Sequence, residues 1–193
     1  MDADKKKNMI DICLNTFVAK GLVDTSSRDL GKAMNLQSGG LYYYFSSKDE
    51  AVIACAEAAA MNLEEKLIIP ALKEVETPEV MMRALKQRAD EMAPMMKFLA
   101  QVCSMEKYRD AMLPVLGKIS KRYEVYANEF AKKFECEINE IMPFVYMCIT
   151  AVSNYMIFGE KEYIIPQTEY IKKEIKRLVE KSKNKQIDIE VQK

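Results

Sequence analysis

The chain has 193 residues, of which 29 are acidic and 29 are basic, so its formal net charge is zero. This balance excludes a protein that its overall charge alone draws to nucleic acid or to a membrane surface. Apolar residues make up 49% of the sequence, which is enough for a sizeable core in one or two domains.

Histidine is absent from the sequence, and the cysteines are far apart: Cys13, Cys55, Cys103, Cys136 and Cys148. No pair of them has the spacing of metal ligands, and no nucleophile stands near a base. We therefore expect no metal, no cofactor and no enzymatic activity. We interpret the cysteines as buried free thiols of a cytoplasmic protein. The charged N-terminus lacks an adjacent apolar stretch, so the sequence predicts no signal peptide.

The sequence predicts helices almost throughout, because apolar residues recur at helical spacing and no alternating strand pattern occurs. The first helix covers residues 5–20, with Gly21 as its stop. A helix-turn-helix follows in residues 26–45, and a capping box of Ser47 and Glu50 then begins a long helix. Start signals of proline and acidic residues predict five further helices, about nine in all: 77–91, 94–105, 109–135, 138–158 and 166–181.

The stretch SSRDLGKAMNLQSGGLYYYF has the pattern of a helix-turn-helix. Ser26 or Thr25 can cap its first helix, and Asp29 places a negative charge in the first turn. Gly31 is small enough for a second helix to cross close by. Asn35 tolerates the left-handed backbone that a tight turn needs. The apolar residues at the inward-facing spacing are Leu30, Met34, Leu36, Leu41 and Tyr44.

The second helix of this motif carries three consecutive tyrosines. Because Leu41 and Tyr44 face inward, Tyr42 and Tyr43 must point elsewhere, and a helix in this position is of the kind that enters a DNA major groove. The two preceding glycines weaken the helix, by up to about 1 kcal/mol each relative to alanine. Close approach of the backbone to a ligand such as a phosphate is one reason to tolerate that weakness.

Residues 141–159 contain no charged side chain, and their length is close to what can span a bilayer. Three interpretations are open: a membrane span, a buried core helix, or a core helix that also carries a subunit interface. Polar residues within the segment and acidic residues on both flanks count against the membrane span, so we favour the third. The alternative function is a helical membrane-associated or scaffold protein that uses this segment.

Methionine is abundant, with 14 residues, many of them in the middle of the chain. These residues either fill an ordinary core or form a pocket that adapts to a flat or apolar ligand, because methionine repacks easily. Aromatic residues could line the same pocket. The candidate pocket residues are Met92, Met96, Leu99, Cys103, Met112, Tyr123, Tyr126, Phe144, Met147 and Cys148.

The helix-turn-helix lies after one helix and before a capped long helix, and it ends in LYYYFSSKDEAV. In this order and in these residues the chain resembles the TetR family of transcriptional regulators. The resemblance implies an all-α fold with an N-terminal three-helix DNA-binding domain, residues 1–47, and a C-terminal helical ligand-binding and dimerisation domain, residues 48–193. It implies a cytoplasmic repressor that is not attached to a membrane. Its partners would be a palindromic operator in double-stranded DNA, a second copy of the chain and a small, mostly apolar effector.

Carried over by position, the resemblance also predicts which residues bind DNA and which form the dimer. Gly31, Asn35 and Gly40 stand where the family usually has alanine, glycine, and serine or threonine. Few side chains there can therefore form hydrogen bonds with DNA bases, and Gln37 is the residue that can form two such bonds with a single base. The predicted DNA-binding residues are Ser27, Arg28, Gln37, Ser38, Gly39, Gly40, Tyr42, Tyr43, Tyr44 and Lys48. The predicted dimer interface, on the last two helices, comprises Val145, Ile149, Val152, Met156, Ile171, Ile175 and Leu178.

Overall fold

A computed structural model of the chain describes residues 3–37, 40–70, 78–133, 135–159 and 166–181, apart from residues 168, 175 and 179. Throughout these ranges the regular structure is helical, and no strand occurs. The all-α fold with an N-terminal helix-turn-helix and a helical C-terminal part is thus confirmed.

Four helices form the N-terminal part: α1 (Ala3–Lys20), α2 (Ser27–Ala33), α3 (Leu41–Tyr44) and α4 (Lys48–Leu63). Gly21 follows α1 with a φ of +97°, a left-handed conformation that glycine adopts without steric cost. A π-helical turn, Glu64–Ile68, continues α4, so the long helix predicted from residue 47 is present. Helix α1 packs against both α2 and α4.

Three long helices follow: α5 (Pro78–Ser104), α6 (Glu106–Lys133) and α7 (Ile138–Phe158). Pro94 lies inside α5, so the prediction of separate helices before and after it is wrong. A proline in a helix interior costs about 3 kcal/mol. Here Ala89 and Phe98, which flank the proline in sequence, are both buried. The described residues between 166 and 181 are helical as well.

By internal packing the chain divides into two compact units. The first comprises Met1–Glu64 and Met92–Ile119, and the second comprises Glu65–Glu91 and Ser120–Lys193. In the first unit the ring of Phe17 stacks on that of Phe98, with 5.4 Å between centroids. The largest fully buried side chains of that unit include Phe17, Leu14, Leu30, Leu41 and Phe45. The core that holds the helix-turn-helix therefore includes residues from far along the chain.

Helix α7 is the one described helix that is long and apolar enough to cross a membrane. Only 33% of its most apolar window is buried within the chain. This is weak evidence for a membrane span, because the core helix of a soluble protein passes the same test. Gly159, with a φ of +71°, ends the helix at the predicted residue.

Candidate DNA-binding site

Helix α2 begins with a capping box formed by Ser26 and Asp29. The Asp29 backbone N–H donates to the Ser26 hydroxyl (3.2 Å), and the Ser26 N–H donates to the Asp29 carboxylate (2.8 Å). Lys20 also pairs with Asp29 at 2.8 Å. The ammonium group of Lys20 and the hydrogen bonds from Ser26 hold the pKa of Asp29 well below its usual range. The start of α2 is thereby fixed to the end of α1.

The turn between α2 and α3 depends on Asn35, which has a φ of +56°. This confirms the left-handed residue predicted at that position, and asparagine tolerates it better than most side chains. The N–H of the next residue, Leu36, donates to the carbonyl oxygen of Gly31 at 3.0 Å, which closes the turn. Ser38 and Gly39 lie outside the described residues, and α3 begins after Gly40.

Two of the three glycines of the motif, Gly31 and Gly40, differ in what surrounds them. A Cβ on Gly40 would overlap the side chain of Leu36 and lie 3.1 Å from the carbonyl oxygen of Gln37. Gly40 is therefore needed for close packing of the turn. A Cβ on Gly31 would meet no heavy atom within 4 Å, so the expectation that Gly31 admits a closely crossing helix is wrong.

Helix α3 presents two of its three tyrosines to solvent. Tyr42 is 59% exposed and Tyr43 is 74% exposed, whereas Leu41 and Phe45 are buried. Tyr44 is half-buried and meets the Tyr43 ring edge-on, with 5.0 Å between centroids. The helical period thus places apolar side chains in the core and leaves a pair of phenol groups free to contact a ligand.

A cleft of about 360 Å³ lies beside α3, between α2 and the turn. Its lining brings together four residues predicted to bind DNA and adds a cation, Lys32, which was not among them. Lys32 lies one helical turn after Arg28, so the i, i+4 spacing on α2 was the sequence signal for it. Both side chains are exposed. The lining residues are Ser27, Arg28, Gly31, Lys32, Leu36, Gln37, Leu41 and Tyr42.

Ser47 caps α4, and its hydroxyl accepts the Glu50 backbone N–H at 3.0 Å. The Glu50 carboxylate does not return to Ser47, as a capping box requires. It accepts the backbone N–H and the hydroxyl of Ser46, both at 2.6 Å. The reciprocal half of the predicted capping box is thus shifted by one residue. The Nζ of Lys48 donates to the carbonyl oxygen of Leu22 at 3.4 Å, so this predicted DNA-binding residue rests against the loop after α1.

Asp49, in the first turn of α4, is bound by two residues from the start of α6. The Lys107 ammonium lies 2.8 Å from its Oδ1, and the Tyr108 hydroxyl lies 2.5 Å from the same atom. These hydrogen bonds lower the pKa of Asp49 and raise that of Lys107 to about 12. Nothing in the sequence indicated this cluster, since its members are almost sixty positions apart.

The predicted pocket residues are divided between the two compact units. In the first unit Leu99 and Met112 are buried, and Met92, Met96 and Cys103 are partly exposed. In the second unit Phe144 is buried, and the partly exposed residues are Tyr123, Tyr126, Met147 and Cys148. Burial raises the pKa of Cys103, and it raises that of Cys148 to about 12. Both side chains are therefore protonated thiols at neutral pH.

Most predicted interface residues are already buried within a single chain. This applies to Val145, Val152, Met156, Ile171 and Leu178. Ile149 is partly exposed, and Ile175 lies outside the described residues. The exposed face of α7 consists of Pro143, Tyr146, Thr150, Asn154 and Phe158.

In the described part of the chain, no group of three or more histidine, cysteine or acidic side chains is placed to hold a metal ion. The exposed polar and aromatic residues at α2 and α3 are suited instead to a polyanion with stacked bases. Arg28 and Lys32 supply positive charge, Gln37 supplies an amide, and Tyr42 and Tyr43 supply apolar rings with hydroxyl groups.

The family model of bacterial regulatory proteins of the tetR family matches residues 10–55. Among solved structures, the chain is similar to a putative transcriptional regulator from Rhodococcus sp. RHA1, with a TM-score of 0.68 and 15% identity over 93% of this chain and 99% of that one. It is similar to the reduced form of NemR from E. coli, with a TM-score of 0.62 and 14% identity over 88% of this chain and 96% of that one. It is also similar to the multidrug binding protein EbrR complexed with imidazole, with a TM-score of 0.61 and 16% identity over 92% of this chain and 96% of that one. No curated protein matches the chain.

Proposed function

We propose that this chain, which belongs to the TetR family of bacterial regulatory proteins, is a repressor that a small, mostly apolar molecule releases from a palindromic operator. Members of this family are DNA-binding transcriptional regulators and not enzymes. The observation that carries the proposal is the exposure of Tyr42 and Tyr43 on a helix whose opposite face is fully packed. A large apolar side chain left in solvent beside cations indicates a binding surface.

We assign the residues of this surface to two roles. Tyr42, Tyr43 and Gln37 contact base edges, where glutamine suits adenine and an aromatic ring suits the thymine methyl group. Arg28 and Lys32 of α2 bind phosphate groups, and so does Lys48. To reach a phosphate, Lys48 gives up its hydrogen bond to the carbonyl oxygen of Leu22. Backbone and hydroxyl groups complete the surface: Ser27, Ser38, Gly39, Gly40 and Tyr44. Because the chain has no net positive charge, these few cations carry the electrostatic part of binding.

A palindromic operator requires two copies of the chain, each placing one α3 in a major groove about 34 Å from the other. We place the contact between copies on the exposed face of α7 and the helical residues after 166. Residues 1–47 then form the DNA-binding domain, and residues 48–193 bind the effector and the second copy in the cytoplasm. The dimer has two geometries, and one of them fits the operator. An effector that binds the other geometry more tightly shifts the population of dimers away from the one that fits the operator.

Selection of duplexes from a random library with the purified chain tests the proposal. We expect a palindromic consensus whose affinity falls steeply with salt. Tyr42→Ala and Tyr43→Ala should each weaken operator binding about tenfold, which corresponds to about 1.4 kcal/mol. Leu113→Ala is the matched control, because Leu113 is also a large exposed side chain (57%) but lies outside both the helix-turn-helix and the proposed contact between copies. A chain that shows no sequence preference at low salt would contradict the proposal.

A further inference from the structure

The cleft beside α3 is a concave feature of the compact unit that contains the helix-turn-helix. Its volume of about 360 Å³ is at the lower end of the range for small-molecule sites, which is roughly 300–1,000 Å³. Base edges in a major groove are reached by side chains that project from the recognition helix, so reading the groove needs no cleft. The cleft therefore has the size of a site for one small ligand.

The positive charge of the cleft comes from Arg28 and Lys32, which lie one helical turn apart on α2. Asp29, the acidic residue next to Arg28, is paired with Lys20 at 2.8 Å. Among the residues that the structure describes, no ion pair neutralises Arg28 or Lys32. Side chains at positions i and i+4 are neighbours on a helix, so both cations can bind the same phosphate group.

The remaining lining of the cleft suits a flat heteroaromatic ring. Leu36 is half-buried and Leu41 is buried, and together they form an apolar wall. Tyr42 is exposed and offers an aromatic ring on which a base can stack. The exposed amide group of Gln37 can form two hydrogen bonds with the edge of an adenine. A nucleotide combines the two chemical groups that this lining accommodates, a phosphate and a flat base.

We propose that the cleft beside α3 binds a free nucleoside phosphate. Its phosphate contacts Arg28 and Lys32, and its base contacts Tyr42 and Gln37. This ligand differs from the apolar effector of the proposed function, which binds within residues 48–193. Its consequence for DNA rests on the proposed function, because the same four side chains are assigned to the operator. The nucleotide and the operator then exclude each other.

A single phosphate of the DNA backbone is the rival occupant of the cleft. Such a phosphate would use the two cations and would leave the apolar wall and the amide of Gln37 without a role. A ligand that carries both a phosphate and a base uses every group that the cleft brings together. The two occupants differ in a measurable way, since a base adds affinity only in the nucleotide site.

The binding test needs no operator. The full chain is titrated by calorimetry with adenosine 5′-monophosphate, with inorganic phosphate and with adenosine. We expect one nucleotide per chain, bound at least tenfold more tightly than either inorganic phosphate or adenosine. Lys32→Gln should weaken nucleotide binding at least tenfold, and Tyr42→Ala should lower it to about the affinity of inorganic phosphate. Lys118→Gln is the matched control and should change nothing, because Lys118 is an exposed lysine outside the helix-turn-helix.

Three results would overturn the inference. The first is the lack of saturable nucleotide binding. The second is equal affinity for the nucleotide and for inorganic phosphate, which would identify a site for phosphate alone. The third is unchanged nucleotide affinity in Lys32→Gln, which would place the nucleotide elsewhere in the chain. Lys32 and Tyr42 are both exposed, so we expect their variants to fold, and far-ultraviolet circular dichroism checks this.

Competition is measured with an operator selected from the random library. The apparent dissociation constant of the operator should rise linearly with nucleotide concentration, as it does when two ligands share one site. Operator affinity that stays constant at saturating nucleotide would overturn the competition. Failure to find any operator would instead count against the proposed function, because the calorimetric result does not depend on DNA.

Discussion

The hydroxyl group of Tyr108 donates a hydrogen bond to the carboxylate of Asp49, with 2.5 Å between the two oxygen atoms. Tyr108 is buried near the start of α6, and Asp49 lies in the first turn of α4, directly after Lys48. The first turn of α4 is therefore held from a distant part of the chain. Since Lys48 is a proposed phosphate ligand, this hydrogen bond holds an element that we propose to bind DNA.

Tyr108→Phe removes this hydrogen bond while keeping the ring in the core. We expect the free energy of unfolding to fall by about 1 kcal/mol, which is typical for a hydrogen bond whose acceptor stays partly hydrated. Operator binding should weaken a few-fold, because the first turn of α4 is less well held. Urea unfolding and a binding titration measure the two effects. Tyr170→Phe, at an exposed position, should leave the free energy of unfolding unchanged, and an equal loss there would refute the explanation.

The same cluster predicts how stability depends on acid. Hydrogen bonds from Lys107 and Tyr108 hold the pKa of Asp49 below its ordinary value of 3.8. Because the pKa is lower in the folded state, ionised Asp49 stabilises the fold at any pH above its pKa in the unfolded chain. This contribution disappears as the pH falls through the pKa of Asp49 in the folded chain. The stability difference between the native chain and Asp49→Asn should therefore shrink below about pH 4. Urea unfolding at several pH values measures it, and a difference independent of pH would contradict the assignment.

Gly31 and Gly40 of the helix-turn-helix should respond in opposite directions to alanine. Gly40→Ala would force a Cβ against Leu36 and should destabilise the chain by about 1–3 kcal/mol through overpacking. Gly31→Ala has room for its Cβ, and alanine favours the helix by up to about 1 kcal/mol. Thermal unfolding of the two variants side by side is the measurement. A stable Gly40→Ala variant would mean that the turn is not packed as described.

Ser47→Ala removes the cap at the start of α4. The alanine cannot accept the Glu50 backbone N–H, so the free energy of unfolding should fall by about 1 kcal/mol. Ser104→Ala is the comparison, because that exposed hydroxyl bonds a carbonyl oxygen three residues back and caps no N–H group. Urea unfolding should show little change for Ser104→Ala, and equal losses would show that the cap contributes nothing.

The proposed contact between copies can be broken at the end of α7. Phe158 is 64% exposed, and Phe158→Glu would place a charge in an apolar contact without a partner. We expect the dissociation constant of the dimer to rise at least tenfold, as measured by sedimentation equilibrium. Val23→Glu introduces the same charge at an exposed residue outside α7 and should leave the dimer intact. An unchanged dissociation constant in Phe158→Glu would show that the contact between copies does not include this end of α7.

Features that close within one or two helical turns were predictable residue by residue. Ser26 and Asp29 cap α2, Asn35 takes the left-handed conformation, and Gly159 ends α7 as its sequence position suggests. The exposure of Tyr42 and Tyr43 follows from the helical period once their neighbours are assigned to the core. These features depend on hydrogen bonds and side chains only a few positions apart, so a short stretch of sequence contains all the information.

Partners from distant parts of the chain were not predictable, because no local pattern encodes them. Tyr108 finds Asp49, and Cys13 finds Met34, only when helices far apart in sequence pack together. Helix α7 shows the same limit. Apolar residues surround it on all sides, so its period does not reveal which side is covered, and five of the residues predicted to form the dimer interface are buried within the single chain. The type and ends of most helices were thus encoded locally, whereas their contacts depend on three-dimensional packing, which brings together side chains that no sequence spacing relates.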